Sequence, residues 1–136
     1  MESRYLYRGK RIDNREWVEG FLFMVNDVPY ILPHHKTGQP IHADNLLKTV
    51  VEVLEDTICQ CTGLKDKNGK LIWENDIANC MDAECCGYIS RNESEAGFYF
   101  DVLLEDGRFE EEHIYDYQDC MEVIGNNFDN PELLEV

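Results

Sequence analysis

Basic residues are scarce: 12 Lys and Arg stand against 28 Asp and Glu, for a formal charge of −16. The shortage is uneven. Residues 1–80 carry 12 acids and 10 bases, whereas residues 81–136 carry 16 acids and only Arg91 and Arg108. Binding a phosphate backbone needs clustered cations, so no nucleic-acid partner is expected. No apolar run approaches the roughly 18 residues of a membrane span. Met1–Glu2–Ser3–Arg4 leads into an amphipathic stretch without the apolar region of a signal peptide. A cytoplasmic location with no membrane partner is therefore expected. Serine is confined to Ser3, Ser90 and Ser94, none in a strand–turn–helix elbow. Gly9, Gly20, Gly38 and Gly63 are isolated, so phosphate-cradling loops are missing too. With no catalytic residues and no cofactor motif in view, the expectation is that the chain is not an enzyme.

Six cysteines are present without a paired Cys-x-x-Cys grammar: Cys59, Cys61, Cys80, Cys85, Cys86 and Cys120. Two readings stand. The thiols are reduced small hydrophobes, or some of them join His34, His35 or His42 around zinc. No local context selects one thiol as a nucleophile, and the three histidines complete no recognised ligand spacing, so they read as surface residues.

What is present is 43% hydrophobic and 11% aromatic residues, the make-up of a globular chain. The dominant period is two. Arg4–Arg8 and the run from Trp17 predict an opening hairpin, with Trp17, Glu19, Phe21 and Phe23 on one face. Asn26-Asp27-Val28-Pro29 should end it, Tyr30–Leu32 should form a short strand stopped by Pro33, and His34–Asp44 a loop. Thr49–Val53 reads as a strand, and Leu46 and Leu47 could finish a helical turn capped by Asp44 or Asn45. Thr57–Thr62 leads into an Asn68-Gly69 hairpin, where both residues suit positive φ. After the Glu74-Asn75-Asp76 corner, five runs follow: Asp76–Cys80, Gly87–Arg91, Gly97–Leu104, Arg108–Tyr115 and Met121–Ile124. Phe98, Phe100, Val102 and Leu104 share one face. Asn130-Pro131 should cap a single helical turn.

The predicted fold is thus mainly β. An N-terminal hairpin region and a signature hairpin lead into a small antiparallel Src-homology-3-like barrel, with a short C-terminal helical turn. The organisation expected is residues 1–62 as an N-terminal β-rich region and 63–136 as hairpin and barrel, together one compact unit.

Three features invite chemistry. Asp66-Lys67-Asn68-Gly69 has the look of a calcium loop but lacks its third alternate oxygen and closing glutamate. A hairpin turn uses every one of these residues. Glu110-Glu111-Glu112-His113 could hold a cation or shuttle protons. On a strand, only Glu110 with Glu112, or Glu111 with His113, can cooperate, and a solvated edge strand accounts for the charges. The aromatic residues Tyr5, Tyr7, Trp17, Phe21 and Phe23 exceed what one hairpin buries, so they pack internally or cover a second subunit. Trp17, Trp73, Tyr99 and Tyr115 are candidate contact residues.

The stretch Gln60–Cys61–Thr62–Gly63–Leu64–Lys65–Asp66–Lys67–Asn68–Gly69, followed by Ile72–Trp73–Glu74–Asn75–Asp76–Ile77, resembles the signature of the YopX family of phage and prophage proteins. Similar blocks occur at Tyr7–Asn14 with Trp17–Gly20, and at Val123–Asn126 with Asp129–Leu134. Cys59 and Cys61 stand where the family has glycine and an aromatic residue, and Asn75 where it has glycine. Asparagine is the best non-glycine occupant of a left-handed position, so that turn is preserved. The resemblance implies a phage or prophage protein in a bacterial host, with some tendency to homo-oligomers. It brings an origin, not a mechanism. The function expected is a non-enzymatic accessory protein acting through protein contacts or self-assembly. An acidic nucleic-acid mimic that inhibits a host DNA-binding protein, and a metal-binding module, are the alternatives.

Overall fold

The computed structural model describes residues 5–34, 49–92, 94, 95 and 97–135. The chain divides into two compact units, Met1–Gln60 and Cys61–Val136. The predicted helical turn at Leu46–Leu47, and most of the predicted loop His34–Asp44, lie outside the described residues.

In the first unit, β1 (Tyr7–Lys10) pairs antiparallel with β2 (Trp17–Val25), and β2 with β3 (Val28–Pro33). The turn between β2 and β3 is tighter than the sequence suggests. Asn26 and Asp27 both take positive φ, 50° and 66°, as a two-residue hairpin loop requires. Val28 and Pro29 therefore belong to β3 rather than to a loop, and proline is tolerated near the strand's start. β4 is only Val51–Glu52 and pairs with β3, with Val53 bridged to Arg11. A 3-10 turn, Glu55–Thr57, replaces the start of the expected Thr57–Thr62 strand. The Thr57 hydroxyl explains it, donating to the Leu54 carbonyl at 2.7 Å and accepting from the Lys10 amide at 2.8 Å.

Within this sheet the β2 and β3 backbones lie close at Gly20, where a Cβ would collide with the Leu32 carbonyl oxygen. The clash is with backbone and cannot be relieved by a rotamer change. Gly20→Ala is expected to cost about 1–3 kcal/mol, read as a lower denaturant midpoint at unchanged m-value.

β5 (Cys59–Lys65) crosses the boundary between the units. In the second unit it pairs with β6 (Leu71–Trp73), through a bulge between Cys61 and Lys65 where Gly63 has φ 81°. Five strands follow: β7 (Asp76–Cys80), β8 (Cys85–Asn92), β9 (Gly97–Leu103), β10 (Phe109–His113) and β11 (Met121–Asn126). They form one antiparallel sheet in the order β10-β9-β8-β7-β11. Four strands meander and the fifth returns beside the first, the arrangement expected of a Src-homology-3-like unit. The barrel, however, is not closed. β10 ends at His113, and 3-10 turns at Ile114–Asp116 and Gln118–Cys120 lead into β11, so the predicted run through Tyr115 is cut short.

Alternation sets the core. Phe100 lies opposite Ile89, and Cys80 opposite Met121, on one face. Ile72, Ala78, Cys80, Ile89, Phe100, Ile114 and Met121 form the buried cluster, with Phe98, Val102 and Val123 packed around it. The expected phenylalanine face is the core face.

Candidate functional site

Asp66 organises the turn of the signature. It closes a turn in which the Gly69 amide donates to the Asp66 carbonyl at 3.0 Å, and only Gly69, not Asn68, takes positive φ. The two-residue form expected at Asn68-Gly69 thus gives way to a longer loop ending in a left-handed glycine. The Asn68 and Lys70 amides each donate to Asp66 Oδ1 at 2.9 Å. The Val123 amide, from β11, donates to Oδ2 at 3.0 Å. Burial pushes the Asp66 carboxyl up, but the amides of Val123, Lys70 and Asn68 and the charge of Lys70 outweigh it and hold the group below the ordinary aspartate value. The Lys67 amide donates to the Met121 carbonyl at 3.0 Å, and Lys67 Nζ lies 3.7 Å from Glu122. The loop is thereby strapped along β11. Its acid is spent on amides, which leaves no carboxylate directed at a calcium ion.

The Glu74-Asn75-Asp76 corner behaves similarly. Asn75 takes φ 70°, the left-handed position read from the sequence. Asp76 is buried and accepts from the Trp73 amide at 2.8 Å. The Asn127 amide donates to the Asn75 carbonyl at 2.9 Å, and the Asn127 side chain donates to Asn75 Oδ1 at 3.3 Å. The C-terminal block folds on itself. Asn126 Oδ1 accepts from the amides of Phe128 and Asp129, at 3.0 and 2.9 Å. Asn130 does not cap the Pro131–Leu134 3-10 turn with its side chain. Instead its Oδ1 turns back to accept from the Asn126 amide at 3.2 Å, beside Gly125, where a Cβ would sit 2.6 Å from that oxygen. The signature and C-terminal blocks, far apart in sequence, are one hydrogen-bonded assembly.

The thiols are free. Cys59, Cys61 and Cys80 are fully buried, while Cys85, Cys86 and Cys120 are half-buried. Cys80 and Cys120 Sγ both donate to the Tyr117 carbonyl, at 3.6 and 3.2 Å. Burial, then the neighbouring Cys120 and Cys85, push the Cys80 thiol up; burial also raises Cys85 and Cys86. In these surroundings the Cys80, Cys85 and Cys86 thiols resist forming the thiolate that a nucleophile requires. Among the described residues no three His, Cys, Asp or Glu side chains gather as a metal site. His34 lies 3.8 Å from Glu19; His35 and His42 fall outside the described residues.

The acid run lies on β10, at the end of its sheet. Glu110 and Glu112 oppose Val102 and Phe100, whereas Glu111 and His113 oppose Asp101 and Tyr99 on the other face. Asp101 accepts from the Ser90 hydroxyl at 2.9 Å. Burial and a hydrogen bond to Asp101 raise the Tyr88 phenol, and the exposed Tyr99 hydroxyl donates to Glu95. Of the four aromatic contact candidates, Tyr115 is 74% exposed, but Trp73 is 3% exposed and belongs to the interior. Trp17 is half-buried, with the Arg8 guanidinium 4.7 Å and the Lys10 ammonium 5.4 Å from its ring.

The sequence reading missed the reach of Asp66 to Val123. Its only sequence signal is that an aspartate opens the turn of a motif whose remaining residues shape backbone.

Geometry of this kind defines a β scaffold whose motif residues shape and strap its own backbone. The chain belongs to the YopX family, whose model, described as YopX protein, matches residues 6–135. No curated protein matches it. Among the described residues no helix is long and apolar enough to cross a membrane.

Proposed function

We propose that this YopX-family chain is a non-enzymatic accessory protein of a phage or prophage, acting in the bacterial cytoplasm through contacts with another protein. One observation carries the reading. The polar residues of the family signature that invite chemistry, Asp66, Asn75, Asp76, Asn126 and Asn130, are engaged with groups of their own unit. A side chain that accepts several backbone amides is poorly placed to move protons or polarise a substrate. Such a chain acts by presenting a surface. Crosslinking capture from phage-infected cells should recover one partner in near-stoichiometric yield. Recovery of nothing above a control protein of equal charge would end the reading.

The charge of residues 81–136 favours a second reading, an inhibitor that imitates nucleic acid. It requires that a captured partner be released by duplex DNA and that binding fall steeply with salt. Association of copies of the chain is a further route to function, with size measured directly by sedimentation.

A further inference from the structure

We propose that the outer edge of β10 accepts an extended, lysine- or arginine-rich segment of the partner protein as an added strand. The inference deepens the contact-protein reading and rests on it.

The two ends of the five-stranded sheet differ. The outer side of β11 is already taken: the Val123 amide is held by Asp66, and the Met121 carbonyl by the Lys67 amide. At the other end, β10 pairs with β9 from Phe109↔Leu103 to His113↔Tyr99 and has no second neighbour among the described residues. A strand in that position offers an outward row of amides and carbonyls, the template for strand addition.

Charge selects the occupant. Glu110, Glu111 and Glu112 occupy three successive positions, so both faces of the edge carry carboxylate. None has an ion-pair partner among the described residues, and the adjacent Arg108 is committed to Asp106 at 2.6 Å. Asp101, directly opposite Glu111, adds a carboxylate on the same face. A second copy of the chain is a poor occupant, because antiparallel edge pairing would bring two glutamate rows together. A basic strand instead places its cations opposite these acids.

Aromatic rings beside the edge suit the same chemistry. Phe109 is 42% exposed and meets Tyr88 edge-to-face at 5.1 Å, while Tyr99 lies 5.6 Å from His113. These rings share the face of Glu111, where the stems and charged heads of Lys or Arg can lie across them.

The probe is a nine-residue peptide alternating arginine with threonine or valine, titrated into the full chain and followed by amide chemical shifts. Two derivatives carry N-methyl groups on alternate residues, each blocking one edge of the peptide. An added terminal strand uses a single edge. One derivative should therefore lose at least tenfold in affinity while the other binds as the parent does, with shifts centred on residues 109–113. Equal binding by both derivatives, or shifts centred elsewhere, would overturn the inference and leave bare charge attraction. The variant with Glu110→Gln, Glu111→Gln and Glu112→Gln keeps the strand and removes its charge; it should bind the parent peptide at least tenfold more weakly. In the crosslinking capture, a partner retained equally by this variant refutes the β10 edge and leaves the contact-protein reading standing. Absence of any partner removes that reading first.

Discussion

Phe100→Ala is expected to destabilise the second unit by about 3–5 kcal/mol, the range for removing a fully buried phenylalanine. Phe100 is 0% exposed and shares its cluster with Ile72, Ala78, Cys80, Ile89, Ile114 and Met121. Its ring also meets Tyr117 edge-to-face at 5.2 Å. The neighbours sit on sheet backbone and on the 3-10 turns that follow it, so they cannot collapse into the void. Set against a total stability of about 5–15 kcal/mol, the loss is a large share of what holds a small domain together. Calorimetry should show the transition of this unit falling by roughly 12–40 °C. Phe100→Leu, which keeps most of the volume, should lose less than half as much. Equal losses for the two variants would mean that the site relaxes and that Phe100 is not the centre of the packing.

Asp66 carries the second large effect. Asp66→Ala strands three amides, those of Asn68, Lys70 and Val123, at a carboxylate that is 7% exposed. Unsatisfied donors cost about 1–3 kcal/mol each when buried, and water reaches the two on the exposed loop. A loss of about 2–4 kcal/mol is expected. Asp66→Asn separates charge from shape: its carbonyl can serve Asn68 and Lys70, but an amide nitrogen then faces the Val123 amide. The folded-state pKa of Asp66 lies below its unfolded value. Its contribution is thus fully present above the unfolded pKa of about 3.9 and is lost as pH falls through the lower folded value. Denaturant midpoints from pH 7 to pH 2 should show the wild-type advantage over Asp66→Asn constant near neutrality and shrinking below about pH 4. An advantage that persists unchanged at pH 2 would show that the carboxylate charge plays no part in the strap.

Much of the fold was legible because its signals are local. The alternation Phe98, Phe100, Val102 reads directly as one face of a strand, and that face is buried. Asn75 in place of glycine reads as a left-handed corner because an amide side chain tolerates positive φ. The features that escaped are those decided by distant partners. Asp66 looks like a turn residue, and nothing nearby in sequence announces Val123. Asn130 before Pro131 has the pattern of a cap, yet its side chain finds the Asn126 amide first. Trp73 was equally suited to an interface and to an interior, and only packing decided between them. The strand through Tyr115 failed because 3-10 turns from Ile114 carry the chain towards β11. The site was least legible of all, since conspicuous acids and amides signal chemistry or architecture with the same letters.

The two tryptophans divide between the units, Trp17 in Met1–Gln60 beneath two cations and Trp73, 3% exposed, in Cys61–Val136. Nature has thus given each half its own intrinsic lamp, one tinted by nearby positive charge and one shielded from solvent. With either indole replaced by phenylalanine, the emission that remains reports the surroundings of a single tryptophan, without any attached dye.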